Sequence, residues 1–241
     1  MTHGTNGSTN GAKPNLIIAH TSDLHIGGGR KGDTHLGLLE AVLRGSEEAR
    51  ADALILAGDI FDNNRVPAPI VDEAARMLAG AAMPVVILPG NHDPMTADAI
   101  YHAASFAASH IHVLGLTSPD AVIFPEFDLD IWGAPHTDYA DYAPLKSVRP
   151  REAAWHIVVA HGHWVRDDRD LHRSWLIHDH EIAATGADYV ALGHWDVPQP
   201  AGDGTVAAYY SGSPDHAKTV NVVRFSREGV DVRRHPLPGL G

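Results

Sequence analysis

The segment LIIAHTSDLH, from Leu16 to His25, decides the fold prediction. It begins with the apolar residues 16–19, and a run this short and this rich in Ile indicates a strand that is buried on both faces. Asp23 and His25 follow the run at its carboxyl end. The segment therefore predicts a buried strand that delivers a carboxylate and an imidazole to one end of a sheet.

Four further apolar runs of the same kind are each followed by polar residues. These runs cover residues 53–57, 85–88, 157–160 and 189–192. Their length and their Val and Ile content predict buried strands like the first. We therefore expect five strands whose carboxyl ends all carry polar side chains.

Helical patterns lie between some of the runs. They cover residues 35–50, 68–81 and 97–110. The first has apolar residues near helical spacing and the other two are rich in Ala. Strands that alternate with helices predict a layered α/β fold. Near the C-terminus, three further runs predict consecutive strands that close a second sheet, at residues 206–211, 219–226 and 230–235.

Composition and charge limit the classes of function. The chain has 241 residues, of which 44% are hydrophobic and 20% charged, as expected for a globular protein. We predict a disordered tail at residues 1–14, which are rich in Gly, Asn and Thr, and one domain at residues 15–241. No apolar run reaches the length of a membrane span, which predicts no membrane association and a cytoplasmic location. Cysteine is absent, so thiolate ligands and disulfides are excluded.

The net charge of −12 argues against long duplex DNA as the substrate. Proteins that grip duplex DNA by its phosphates usually have a basic face, and no run rich in Lys or Arg is visible. Bound divalent cations would reverse the sign of the field locally.

The polar residues at the five strand ends are of one chemical kind. Ligands collect at the carboxyl ends of strands in open α/β sheets, so these side chains are expected to converge on one site. Each pair or triplet alone is a weak signal, and the five together are a strong one. The residues are Asp23 with His25, Asp59 with Asp62, Asn91 with His92 and Asp93, His161 with His163, and His194 with Asp196.

These motifs resemble the signature of the calcineurin-like metallophosphoesterases. The motifs are DLH at 23–25, GDIFD at 58–62, GNHD at 90–93, His161 and GH at 193–194. Three longer strings, at residues 20–27, 189–194 and 210–213, resemble the SbcD-type branch of repair nucleases. The resemblance implies a four-layer α/β/β/α sandwich of two mixed sheets flanked by helices, with the metal site at the strand carboxyl ends.

The resemblance also implies a pair of divalent metal ions. It places Asp23 and His25 on the first metal and makes Asp59 the bridge between both metals. Asn91, His161 and His194 would hold the second metal. Oxygen and imidazole donors without sulfur suit Mn, Fe or Zn. Two such ions would lower the pKa of a bridging water, and the resulting hydroxide would attack phosphorus in line.

The resemblance gives His92 a catalytic role without metal binding, as a proton donor to the leaving group or a stabiliser of the transition state. Its neighbour Asp93 is expected to orient His92 or to cap the following segment. Asp62 is expected to orient a metal-bound histidine, as carboxylates outside the ligand set commonly do.

One position departs from the family pattern. The family normally has Gly-His-x-His, whereas this chain has Asp196 where the second histidine would bind the first metal. We expect Asp196 to bind the first metal directly through its carboxylate, which would favour Mn, Fe or Mg over Zn. Alternatively, Asp196 is too short to reach and water fills the place.

Two further residues have open interpretations. His163 points either at the substrate or away from it, because successive side chains of an extended strand alternate. Arg65, which follows the bridging aspartate, is a candidate contact for a phosphate oxygen. The histidine-containing stretch 167–179, beside Trp164 and Trp175, predicts either a substrate-contacting loop or a solvated surface.

Three functions compete at this stage. The first is a phosphodiesterase or phosphatase that acts on a small phosphoester. The second is a DNA exonuclease or endonuclease, and the third is an inactive interaction scaffold. The scaffold is disfavoured because the predicted ligands and His92 are retained. The first is preferred because of the negative charge and because the chain ends where the resembled nucleases continue into a DNA-capping domain.

Overall fold

The computed structural model describes residues 13–29 and 34–240. Most of the predicted tail, residues 1–12, therefore lies outside the described residues. Lys13 and Pro14 lie against Trp155, whose indole Nε1–H donates to the Pro14 carbonyl at 2.7 Å. The Lys13 Nζ lies 4.0 Å from the centre of the same ring.

The described residues form two six-stranded mixed sheets. The strands of the first sheet are β1 Leu16–Thr21, β2 Ala53–Ala57, β3 Val85–Leu88, β4 Ile111–Val113, β13 Thr219–Ser226 and β14 Gly229–Pro236. Those of the second are β5 Ala121–Phe124, β6 Leu129–Gly133, β7 Trp155–His161, β10 Tyr189–Gly193, β11 Gln199–Ala201 and β12 Ala207–Tyr210. A short ribbon pairs β8 His163–Trp164 with β9 Leu176–Ile177. The first sheet has the order β14-β13-β1-β2-β3-β4, and the second has the order β11-β12-β10-β7-β6-β5.

Helices cover the outer faces of the two sheets. The helices are α1 Leu36–Glu48, α2 Ala68–Ala79, α3 Asp179–Ala184 and α4 Pro214–Ala217. In α2, residues Val71, Ala74, Ala75 and Leu78 are buried at helical spacing, which explains why this segment packs as a helix on the first sheet. Ile182 of α3 is buried on the outer face of the second sheet. Apolar residues fill the space between the sheets, and the predicted four-layer sandwich is confirmed.

The five predicted strands are β1, β2, β3, β7 and β10. Parallel pairs join β1 to β2 and β2 to β3 in the first sheet, and β7 to β10 in the second. Because parallel strands end at the same edge of a sheet, their polar termini are brought together.

The helix predicted at 97–110 is wrong. The segment contains two short 3₁₀ turns, Ile100–His102 and Ala104–Phe106. Tyr101 and Phe106 pack edge to face with each other and with Phe61, so tertiary packing overrides the helix propensity of the alanines.

The two C-terminal strands also differ from the prediction. Of the three predicted strands, only β12 joins the second sheet, whereas β13 and β14 extend the first sheet beside β1. Val220 and Val222 face the helices, while Val223 and Phe225 face the space between the sheets. Pairing with β1 therefore buries both faces of β13.

Candidate metal centre

The chain turns sharply where β1, β2 and β10 end. Four predicted ligands have left-handed backbones: φ is 56° at Asp23, 48° at His25, 54° at Asp59 and 98° at His194. Left-handed conformations cost energy for residues other than glycine, and they concentrate at functional sites. These turns let side chains that are close in sequence face one region.

Two glycines allow the strand ends to approach each other. A Cβ at Gly58 would lie 2.0 Å from Nδ1 of His161. A Cβ at Gly193 would lie 1.8 Å from the carbonyl oxygen of Ala57. No larger residue fits either position without displacement, so the glycines before Asp59 and His194 are explained by this close contact.

Asp59, His161 and His194 form one group of convergent ligand atoms, each within 4.8 Å of the others. The Nε2 of His161 lies 3.2 Å from Oδ2 of Asp59. Asn91 adds its amide oxygen, which is 3.1 Å from Nε2 of His161 and 3.0 Å from Nδ1 of His194. These are the four residues expected around the second metal.

The tautomer of His161 suits metal binding. Its Nδ1–H donates to the carbonyl oxygen of Ala57 at 2.8 Å, so Nε2, which faces Asp59 and Asn91, is the nitrogen that can bind a metal once it has lost its proton. Histidine ligands are commonly oriented by such a hydrogen bond from the other ring nitrogen.

A second group contains His25, Asp59 and His92, again with ligand atoms within 4.8 Å of one another. His25 has a buried Nδ1 without a hydrogen-bond partner among the described residues. His92 is exposed, and its ring lies edge-on to His25 with 4.6 Å between ring centres. His92 is thus closer to the first metal's expected ligands than the sequence alone indicates.

Asp23 reaches the site from β1 and is almost fully buried. Its carboxylate accepts hydrogen bonds from Ser22 Oγ and from the backbone N–H of His194, the latter at 3.1 Å. Because Asp59 belongs to both convergent groups, it occupies the position expected of a bridging carboxylate.

Burial and charge shift the pKa values of the site in opposite directions. Burial raises the pKa of Asp23 to about 6 and lowers the pKa of His194 to about 3. For His161, burial alone would lower the pKa, but the Asp59 and Asp23 carboxylates outweigh it and raise the pKa to about 9. For Asp59, burial is outweighed by His161 and His92, so its pKa lies below the ordinary value.

These donors fit divalent cations. Two imidazole–carboxylate groups share one carboxylate, a buried imidazole nitrogen lacks a partner among the described residues, and the chain has no cysteine. Oxygen and neutral imidazole are ligands of Mn, Fe and Zn.

Within the described residues, the Asp93 carboxylate makes no hydrogen bond with the side chain of His92. Its buried carboxylate accepts hydrogen bonds from the backbone N–H groups of Ile60, Phe61 and Gly90, and from the hydroxyl of Tyr101 at 2.6 Å. Asp93 therefore ties the loop after β2 to the loop after β3, and the expectation that it orients His92 is wrong. The sequence does not reveal this role of Asp93, because three of its four partners are backbone groups and two of those lie 32 and 33 positions away.

Asp62 lies beside both histidines of the second group, His25 and His92. Its carbonyl oxygen accepts a hydrogen bond from Nδ1–H of His92 at 2.8 Å. Its carboxylate Oδ1 lies 3.7 Å from Nδ1 of His25. This placement is consistent with an orienting role.

Asp196, Arg65 and His163 lie outside the two convergent groups. Asp196 is exposed, and its backbone carbonyl accepts a hydrogen bond from Ser213 at 3.1 Å. Arg65 is exposed as well. His163 is buried in β8 and lies 3.3 Å from Oδ1 of Asp170. Metal binding by Asp196 stays a prediction.

The sequence analysis missed His136, which follows β6. His136 is fully buried, and its Nε2–H donates to the carbonyl of His161 at 3.0 Å. Burial lowers its pKa to about 4, so its imidazole is neutral. The strand before it, LDIWG at Leu129–Gly133, contains Asp130 and so lacks the continuous apolar run that marked the five predicted strands.

Fold and site together define a metal-dependent phosphoester hydrolase of the four-layer α/β type. A family model for calcineurin-like phosphoesterases matches residues 16–198, about three quarters of the chain, so the chain belongs to that family. The expected requirement for divalent metal ions follows from the family and from the convergent ligand groups.

Two known proteins are similar to the chain, one in sequence and one in fold. The SbcD component of the nuclease SbcCD from Bacillus subtilis (strain 168) is 26% identical over 259 aligned positions, which confirms the resemblance to the SbcD-type branch. The alignment covers 86% of this chain but 66% of that relative, so the chain spans just under two thirds of its length. The crystal structure of TT1561 from Thermus thermophilus shares the fold, with a TM-score of 0.62, 14% identity, and coverage of 92% of this chain and 99% of that chain.

No helix within residues 13–29 and 34–240 has the length and apolar character to cross a membrane.

Proposed function

We propose that the chain is a phosphodiesterase that hydrolyses small phosphodiesters with the help of two divalent cations. The observation that carries the proposal is the position of His92, an exposed imidazole beside His25 and Asp59. Its Nδ1–H is committed to the Asp62 carbonyl, so Nε2 is the nitrogen that can carry a second proton toward a substrate. A phosphodiester needs such a donor because its leaving alkoxide is a poor leaving group until it is protonated.

The other residues of the site would bind and position the two cations. Bound divalent cations would supply an activated water as the nucleophile and neutralise charge on the phosphoryl oxygens. Asp59, at the junction of the two convergent groups, would hold both cations at a fixed separation. Asn91, His161 and His194 would fix one cation, and Asp23 and His25 the other. We propose Mn or Fe for the first position, with Asp196 as an additional oxygen ligand.

The net charge of −12 supports a small substrate. In physiological salt the attraction of the cations extends over only about 8 Å. The parts of a long DNA duplex that lie farther away would face the negatively charged protein surface and be repelled. A small diester presents one negative charge, which the cation pair attracts locally.

A DNA nuclease is the second candidate. It is favoured by the 26% identity to a protein whose name identifies it as part of a nuclease. Phosphodiester cleavage in DNA uses the same chemistry, so the two candidates differ in substrate size rather than in the roles of the site residues.

The first experiment compares substrates. An aryl phosphodiester, an aryl phosphomonoester and linear DNA are offered to the chain with Mn, Fe, Zn or Mg. We expect the small diester to be hydrolysed fastest, with the monoester second. DNA cleavage at a rate comparable to the small diester would replace the small-substrate proposal with the nuclease. Failure of every metal to support hydrolysis would contradict both candidates.

The second experiment tests His92 with His92→Ala. A general acid contributes about 10²–10⁴-fold, and the contribution is greatest when the leaving group is most basic. We therefore expect a larger loss of kcat with an alkyl diester than with a nitrophenyl diester, while metal stoichiometry stays unchanged. His102→Ala is the control, because His102 is an exposed histidine outside the centre. Equal losses with both leaving groups, or loss of a metal ion, would rule out the proton-donor role.

A further inference from the structure

Two buried hydroxyls lie beneath Asp23. The Oγ atoms of Ser22 and Ser211 are 3.0 Å apart, and both residues are fully buried. Ser22 follows β1 in the first sheet, and Ser211 follows β12 in the second. The contact therefore connects the two sheets directly below the candidate metal centre.

The hydrogen bonds along this contact all point in the same direction. Ser22 has a single hydroxyl hydrogen, which it donates to Oδ2 of Asp23. Ser22 can therefore only accept in the serine pair, so that hydrogen comes from Ser211. The Ser211 hydroxyl also lies 3.2 Å from the carbonyl oxygen of Gly212, so it shares its single hydrogen between the two acceptors. The result is a chain of donors from Ser211 through Ser22 to Asp23.

This chain constrains one side of the Asp23 carboxylate. Oδ2 accepts from Ser22 and from the backbone N–H of His194 at 3.1 Å, whereas Oδ1 accepts only from that N–H, at 3.3 Å, within the described residues. A carboxylate oxygen has two lone-pair positions, so Oδ1 keeps one for another partner. With one oxygen held, rotation of the carboxylate about its axis is restricted.

The loop that carries Ser211 also contacts the segment after His194. The N–H of Ser213 donates to the Asp196 carbonyl at 3.1 Å. A Cβ at Gly212 would lie 2.7 Å from that same oxygen, so the contact requires glycine. Residues 211–213 thus contact both the serine that donates to Asp23 and the backbone carbonyl of Asp196.

We propose that Ser211 and Ser22 position the Asp23 carboxylate for the first divalent cation and so set the affinity of that cation without contacting it. The inference rests on the proposed two-cation centre. Hydrogen bonds to a metal ligand commonly set its orientation, and their loss typically lowers metal affinity about 10–100-fold. The loss should fall on one cation, because Asp23 belongs to one side of the centre.

The test is a titration of the metal-free chain with Mn²⁺. Binding is measured by calorimetry and by electron paramagnetic resonance. In the unmodified chain we expect two bound ions and a spin-coupled spectrum. Ser22→Ala and Ser211→Ala should each weaken one binding event about 10–100-fold and leave the other unchanged. The coupled spectrum should then give way to that of an isolated ion at intermediate Mn²⁺ concentration.

The double variant separates a relay from two independent contacts. If Ser211 acts through Ser22, the Ser22→Ala/Ser211→Ala chain should bind the first ion no more weakly than Ser22→Ala alone. Ser213→Ala is the matched control, since Ser213 is a buried serine of the same loop whose side chain does not cap α4. It should leave both binding events unchanged.

Three results would overturn the inference. Additive losses in the double variant would refute the relay, and equal losses for both ions would refute its selectivity. Lower thermal stability with two unaltered affinities would show that the hydroxyls only support the fold. Fewer than two ions in the unmodified chain would instead contradict the two-cation centre itself.

Discussion

Tyr101→Phe tests the role assigned to Asp93. The substitution removes one hydroxyl from a buried side chain and leaves the ring, so no cavity of consequence is created. The lost hydrogen bond, 2.6 Å long, has a buried carboxylate as its acceptor. Hydrogen bonds to charged groups contribute about 1.5–3 kcal/mol to the free energy of unfolding. The three backbone donors to Asp93 remain, so the two loops should stay joined but be less stable.

The expected change is measurable by urea unfolding and by heat. For a chain of this size each kcal/mol moves the melting temperature by about 2–4 °C, so Tyr101→Phe should lower it by roughly 3–12 °C. Tyr139→Phe is the control, because Tyr139 is 64% exposed and should change stability by less than about 0.5 kcal/mol. Equal stabilities of the two variants would refute the reasoning that Asp93 depends on Tyr101.

Two further predictions concern metal binding. Because Asp59 and Asp23 raise the pKa of His161 to about 9, a proton must leave this imidazole when a cation binds. Mn²⁺ affinity should therefore rise about tenfold per pH unit between roughly pH 6.5 and 9, as measured by titration of the metal-free chain, and a flat profile would contradict the assignment of His161 as a ligand. Asp196→His should shift metal preference from Mn toward Zn by about tenfold or more in competition assays, whereas Asp203→His in an exposed turn should not. An unchanged preference would indicate that Asp196 does not bind metal.

The central strands could be predicted from sequence because they are buried on both faces. Such strands are continuous apolar runs, and the polar residues that follow them stand out. The five predicted runs coincide with β1, β2, β3, β7 and β10. Since parallel strands end at one edge, the position of the site followed from the same pattern.

The interactions that hold the site could not be predicted in this way. Asp93 bonds to backbone groups of residues about 30 positions away, and such partners leave no residue-type signal. The pairing of β13 with β1 depends on which sheet has an open edge. The alternation of side chains along β13 does not specify it. Local propensity also failed at 97–110, where packing of Tyr101 and Phe106 decided the conformation.

The distribution of charge over the protein surface also could not be predicted from the linear sequence. The fold gathers Arg50, Arg224, Arg233 and Arg234 around one surface groove of about 570 Å³. These residues come from the end of α1 and from β13 and β14, so no basic run marks them in the sequence. The groove includes Ile17 at the start of β1, which places it at the end of the strands opposite the metal centre.

The hydrogen bonds of the Asp93 carboxylate hold one part of the metal centre in place, and another part of the centre lies outside these hydrogen bonds. The carboxylate accepts hydrogen bonds from Ile60 in the loop after β2 and from Gly90 in the loop after β3, so the backbone segments that carry Asp59 and Asn91 are held together. Asp196, in the segment after β10, is exposed and takes no part in these hydrogen bonds. On the proposal that Asp196 binds the first cation, a single substitution at this position would change the metal preference without disturbing the hydrogen bonds of Asp93.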